Sequence, residues 1–228
     1  MGRLVSPASV WRPPLLTRTP ADAGRVPGAL YGSLLYDQPA HAVARDALVA
    51  FAAPDPRPLI VEVGFDHGMC LLDHAQRWPE VRWLGFELRE RRVEAVRRHA
   101  PPNCLPWRGD VRAAFAGLLP EGCVDRVDVL FPDPVWVESR RARHLLFTPV
   151  FVAILQRVLR SPGEGGPVGG IVHVATDVEG YFRWIEGLFV EWRAVEAPAM
   201  GPVLSRRERI CRRDGAPVWR GAWAPPLG

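Results

Sequence analysis

The sequence predicts an α/β fold: a doubly wound, mostly parallel seven-stranded sheet with helices on both faces. Three observations lead there. Short apolar runs suited to buried strands alternate with segments of helical periodicity from Pro39 to the C-terminus. The first such run (59–65, LIVEVGF) leads into a glycine-bearing loop and then a helix, the order in which doubly wound sheets build ligand sites. Nearly half of the 228 residues are apolar (48%) and no repeat divides them, so one core and one domain are expected over residues 41–228.

The elements follow in order. Residues 1–40 are rich in Pro, Gly and Ala without periodicity, and read as an irregular N-terminal arm. HAVARDALVAFAA has helical spacing and stops at the proline-bounded loop 54–58. LIVEVGF is a buried strand, MCLLDHAQRW a helix, VRWLGFEL a second strand and RERRVEAVRRHA an arginine-laced helix. NCLPWRGD supplies the third strand and its turn, VRAAFAGLL a helix, and VDRVDVLFPDP a fourth strand ending between prolines. FTPVFVAILQRVL is helical, a Gly-rich turn (161–170) follows, GIVHVATD is a strand and YFRWIEGLF a helix. WRAVEA and the stretch from RRERI to APVWRGAW are expected to close the sheet as strands.

No apolar run approaches the eighteen or so residues of a membrane span, and the N-terminus lacks a secretory core, so a cytoplasmic protein with no membrane partner is expected. Cys70, Cys104, Cys123 and Cys211 are too scattered for a metal site and are expected as buried thiols. The net charge is only +4, but all 29 basic residues are arginine, and some cluster. Arg140, Arg141 and Arg143 form one group; Arg206, Arg207, Arg209, Arg212 and Arg213 form another. Arginine forks match phosphate and stack on bases, so these groups fit an RNA-binding face.

In a doubly wound sheet the loop after the first strand should carry the ligand. Here it reads Glu62-Val63-Gly64-Phe65-Asp66-His67-Gly68. Gly64 and Gly68 let backbone approach a ligand closely. Glu87 closes the second strand where a ribose-binding acid belongs, and Asp110 follows the third strand, in reach of an adenine amino group. A dinucleotide fingerprint is not satisfied, because Asp66 stands where its second glycine would be.

Read together, EVGFDHG, GFE, GDV, LFPDP and HVATD followed by a tyrosine resemble the bacterial tRNA (guanine-N7)-methyltransferases, a Rossmann-like class I methyltransferase family. The resemblance covers about residues 57–221 and implies that the chain uses S-adenosylmethionine (AdoMet) to methylate N7 of a guanine in the variable loop of tRNA. It places AdoMet contacts on Glu62, Gly64, Glu87 and Asp110, with Gly68 in the same loop. It places the guanine and tRNA site on Asp133, Thr176 and Asp177, with Ser205-Arg206-Arg207-Glu208 standing where the family has T-x-x-E and Tyr181 at the family tyrosine. Arg140, Arg141 and Arg143 would hold the RNA backbone beside the substrate loop. Two departures stand out: Asp66 at the second glycine, and a post-FPDP segment, VWVESRRARHLL, in which Trp136 sits one position late.

The implied chemistry asks little of a base. Guanine N7 carries an in-plane lone pair and no proton, so holding it in line with the methyl carbon supplies most of the acceleration. Carboxylates at the base edge, Asp133 as the catalytic residue and Asp177 beside it, would stabilise the charge that moves onto the purine. His173 is expected packed and hydrogen-bonded, His67 exposed, and most tryptophans, Trp83 and Trp184 among them, in the core. Two other readings stay open: a methyltransferase of a small-molecule or protein substrate, and a catalytically weak RNA-binding paralogue.

Overall fold

Leu59–Val63 is buried at every position, and so is Arg82–Glu87, as strands covered on both faces must be. The computed structural model describes residues 42–137, 140, 144–161, 163 and 169–226. The expected N-terminal arm and the two arginines Arg141 and Arg143 therefore lie outside the described residues.

The elements run α1 (Ala42–Ala52), β1 (Leu59–Val63), α2 (Met69–Arg77), β2 (Arg82–Glu87), α3 (Glu90–Arg97), β3 (Cys104–Arg108), α4 (Val111–Gly117), β4 (Arg126–Leu130), α5 (Pro149–Val158), β5 (Ile171–Thr176), α6 (Glu179–Leu188), β6 (Arg193–Val195), α7 (Arg206–Asp214) and β7 (Trp219–Ala224). They build a seven-stranded sheet in the order β3-β2-β1-β4-β5-β7-β6. Neighbours among β1 to β5 pair in parallel, and β7 pairs antiparallel with both β5 and β6. The chain thus winds outward from β1 in one direction, then reverses to β4. That switch point is where such sheets hold ligands.

Alternation along the strands separates two cores. Leu59, Val61, Leu84, Phe86 and Trp107 face the larger one, which α1, α4, α5 and α6 complete with Leu48, Phe115, Phe151 and Tyr181. Ile60, Trp83 and Cys104 face the smaller one under α2 and α3, with Leu71, Val93 and Val96. Each fully buried side chain of this size is worth roughly 1.5–3 kcal/mol in transfer alone.

Sequence chemistry sets the helix starts. Thr148 caps α5, its hydroxyl accepting from Phe151 N–H at 3.2 Å, and Pro149 takes the first turn, where no N–H is needed. Asp110 caps α4 by accepting from Arg112 N–H at 2.9 Å. One expectation is corrected: RRERI is not a strand but the start of α7. Ser205 caps that helix, accepting from Glu208 N–H at 3.2 Å, and Gly215 ends it in the left-handed region at φ 64°. The low apolar content of α7 hides its period from a pattern search, whereas its Ser-x-x-Glu start is a cap signal. No helix among the described residues is long and apolar enough to cross a membrane.

Candidate functional site

β1 ends at Val63, and the loop beyond it turns through Gly64, Asp66 and Gly68, all at positive φ (74°, 53° and 70°). A Cβ on Gly68 would meet Val96 Cγ2 at 2.6 Å, so the loop packs backbone against α3 and no side chain fits there. At Gly64 nothing lies within 4 Å of that position. The loop is tied down by Gly64 N–H donating to Phe86 O at 2.8 Å and Gly68 N–H donating to Phe65 O at 2.7 Å. Asp66 adopts the left-handed conformation without being glycine, at a cost of roughly 1 kcal/mol. Its carboxylate pairs with Arg92 of α3.

A cavity of about 500 Å³ opens over this loop. Its walls are the carboxyl ends of β1, β2 and β4, the turn from β3 into α4, the segment 131–133 and the first turn of α7. Of the residues marked in the sequence, Glu62, Gly64, Glu87, Asp110, Asp133 and Ser205 line it. Gly68, Thr176, Asp177, Glu208 and Arg140 are not in its wall. Arg140 is exposed.

The acids differ in their surroundings. Glu62 is 5% exposed and has no hydrogen-bond partner among the described residues. Burial, with the nearby charge of Asp128, pushes its carboxyl up to about 8, so it holds its proton at neutral pH. Behind it Asp128 accepts from Arg126 Nε at 3.0 Å and meets His173 Nδ1 at 3.0 Å. Burial opposes its charge, but the Arg126 guanidinium and the His173 hydrogen bond hold the Asp128 carboxyl below its ordinary value. His173 is thus packed and hydrogen-bonded, as its apolar strand suggested. Glu87 Oε1 accepts from Arg89 N–H at 2.9 Å, while Oε2 stands 3.7 Å from Arg92 Nη1. Asp110 is held by the fork of Arg112, with Nη2 2.6 Å from Oδ2.

The segment after β4 is tense. Phe131 and Val135 both sit at positive φ (54° and 49°), which is uncommon for non-glycine residues and an outlier for a β-branched one. Phe131 N–H donates to Ala175 O at 2.7 Å, and Val135 N–H donates to Asp133 Oδ1 at 2.8 Å. With Pro132 and Pro134 on either side, these bonds hold Asp133 at the cavity mouth. Val135 takes the buried place after the second proline, and Trp136 is pushed out, half exposed (49%).

The second part of the motif set lies to one side. Thr176 is fully buried and its hydroxyl accepts from Val178 N–H at 3.2 Å. Asp177 is bound by Arg207, whose Nε donates to Oδ2 at 2.9 Å. Glu208 Oε1 takes Arg220 Nη2 at 2.5 Å and Arg212 Nη2 at 3.4 Å, tying α7 to β7. Tyr181 is wholly buried, its ring edge-on to Phe147 with centroids 6.3 Å apart. The expected core tryptophan Trp83 is buried, and Trp184 donates its Nε1–H to Phe147 O at 3.1 Å. His67 is half exposed.

Sequence reasoning missed Arg92, Arg112 and Arg207 as cavity residues. The signal available for Arg92 was an arginine-laced helix beginning just after the acid of β2.

Comparisons with known proteins agree with this geometry. A family model described as "Putative methyltransferase" matches residues 56–210. A tRNA (guanine-N(7)-)-methyltransferase of Caulobacter sp. (strain K31) is 32% identical over 179 residues, covering 73% of this chain and 75% of that protein. One from Ectopseudomonas mendocina is 31% identical, covering 77% and 75%. Against one from Marinobacter nauticus the identity is 35%, but the match spans about half of each chain (54% and 50%). Among solved structures, the aminoglycoside resistance methyltransferase NpmB1 superimposes with a TM-score of 0.52 at 14% identity, covering 79% of this chain and 93% of that one. The 16S rRNA methyltransferase KamB gives 0.51 at 17%, covering 79% and 92%. At such identities the two structures bear on the fold alone, and that fold is the Rossmann-like class I methyltransferase fold.

Proposed function

The chain belongs to the tRNA (guanine-N7)-methyltransferase family, and we propose that it moves a methyl group from AdoMet to N7 of a guanine in tRNA, in the cytoplasm. The observation that carries the reading is one cavity at the switch point that joins a buried acid (Glu62), the β2 acid (Glu87) and an acid held in a strained loop (Asp133).

The residues present fit AdoMet. Glu62 is buried with no hydrogen bond among the described residues, as an acid awaiting a cationic ammonium would be, and the space at Gly64 is open. Glu87, with one oxygen already held by Arg89 N–H, offers the other to ribose hydroxyls. Asp110 stands in the turn after β3 with its carboxylate fixed by Arg112, at the adenine end. Bound there, AdoMet supplies an electrophilic methyl group.

The chain's own residues supply position and charge. N7 needs no base, so Asp133 has no proton to take; its carboxylate accepts hydrogen bonds from the guanine edge and stabilises the positive charge that develops on the ring. Strain near Asp133 costs on the order of 1–3 kcal/mol per outlying residue and is kept where a group must be pre-set. Ser205 stands at the wall; Asp177 acts through Arg207, which lines the cavity, and the buried Thr176 holds the turn into α6 by accepting from Val178 N–H. Arg140, with Arg141 and Arg143 close to it in sequence, and the arginines of α7 hold the phosphate backbone.

Asp133→Ala should lower methyl transfer to tRNA by roughly 100-fold or more, the scale of losing one charge-stabilising group, with AdoMet affinity unchanged. Equal turnover in the variant would remove Asp133 from the reaction.

A further inference from the structure

At the ribose end of the cavity two carboxylates face one guanidinium. Arg92 Nη1 pairs directly with Asp66 Oδ1 and stands 3.7 Å from Glu87 Oε2, beyond hydrogen-bond reach. All three residues line the cavity. The side chain of Arg92 is 24% exposed, that of Asp66 35% and that of Glu87 10%. The guanidinium therefore sits between an outer acid, which it contacts directly, and a more buried acid, with which it makes a longer ion pair without a hydrogen bond.

This arrangement follows from a departure in the sequence. A glycine at position 66 would accept φ 53° freely, whereas aspartate pays for it. Strain of that kind persists where the surroundings hold the residue in place, and here the Arg92 pair does so. Remove the carboxylate and Arg92 has one anionic neighbour left. Drawn in from 3.7 Å to hydrogen-bond distance, it would make a charge-assisted pair with Glu87, in a site with less water and so a stronger attraction. Such a pair would occupy the oxygen that a ribose needs.

We infer that Asp66 is a positioning residue that holds Arg92 away from Glu87 and so keeps Glu87 free to accept the ribose hydroxyls of AdoMet. This rests on the AdoMet reading of the cavity. Arg92 is then a latent competitor for the ribose acid, and Asp66 its restraint.

The test is calorimetric titration of the full chain with AdoMet, for wild type, Asp66→Asn, Arg92→Met and the double variant. Asparagine keeps the size and tolerates the left-handed backbone, so it removes the charge and leaves the loop shape. Asp66→Asn should weaken AdoMet by roughly ten-fold, and the double variant should bind several-fold tighter than Asp66→Asn alone, a coupling of the size neighbours show. Asp66→Gly, which relieves the strain as it removes the charge, should lose affinity too and be repaired likewise by Arg92→Met. The inference is overturned if Asp66→Asn binds as wild type does. It is equally overturned if Arg92→Met weakens binding by itself and the double variant is worse than either, which would make Arg92 an AdoMet contact. Failure of the wild type to bind AdoMet would sink the reading of the cavity, and the inference with it.

Discussion

Glu62 shows how a residue's environment writes part of its function. Its carboxyl, in the wall of the cavity and 5% exposed, is raised to about 8 by burial and by the charge of Asp128. In the unfolded chain it would titrate near the ordinary glutamate value of about 4.3. Folding therefore takes up a proton between these values. The stability this acid contributes is complete below the lower value and is lost as pH rises through the upper one. A cationic ligand acts in the opposite direction: it favours the carboxylate and expels the proton. At pH 7 AdoMet binding should release up to about one proton through this group, read as a dependence of the titration heat on the ionisation enthalpy of the buffer, and AdoMet affinity should rise as pH increases from 6 to 8. Heats identical in all buffers would place the ammonium elsewhere.

At this scale the acids were legible and their partners were not. Glu62, Glu87, Asp110 and Asp133 stand at strand ends, and strand ends are readable from apolar runs. Arg92, Arg112 and Arg207 reach their acids across turns or between elements, over distances set by long side chains in a folded sheet. Asp110 shows the difference well: its position after β3 was expected, but not that Arg112 grips it while it caps α4.

Among elements, the contact of β2 with α2 sets the loop between β1 and α2. Gly85 in β2 leaves a gap that Leu71 of α2 and Phe65 of the loop fill: a Cβ there would meet Leu71 Cδ2 at 2.3 Å and Phe65 Cδ1 at 2.6 Å. Both neighbours are buried and have nowhere to go. Gly85→Ala should destabilise the protein by roughly 1–3 kcal/mol, as overpacking does, and lower AdoMet affinity by moving Phe65 and the loop behind it. Thermal melts together with AdoMet titration check this; an unchanged melting temperature would mean the interface is looser than it looks. The elements that period betrays, β1 to β5 and their covering helices, fall where the alternation put them. α7 did not, because RRERICRRD shows almost no apolar stripe and its helix is set by end signals, the Ser205 cap and Gly215. Arg206 and Arg207, expected on an RNA-binding face, stand in the cavity wall at the start of this helix.

On the scale of the whole molecule, the order β3-β2-β1-β4-β5-β7-β6 brings residues far apart in sequence to one edge. The ends of β1 and β2 and the turn after β3 form one part of the cavity wall, the ends of β4 and α7 another, and they meet over the switch point. Arg206 and Arg207 of α7 stand in the cavity wall, and Arg209, Arg212 and Arg213 follow on the same helix. The doubly wound plan was legible from alternation alone, whereas the pairing of α7 with β7 through Glu208 and Arg220 depends on contacts that no local pattern announces.

The central claim is that this cavity joins AdoMet to a guanine of tRNA. The direct measurement is transfer of labelled methyl from AdoMet to unmodified tRNA by the full chain, followed by nucleoside analysis of the digested product. The account predicts label in 7-methylguanosine, lost in Asp133→Ala. Label in another nucleoside, or none in tRNA while AdoMet binds, would contradict it.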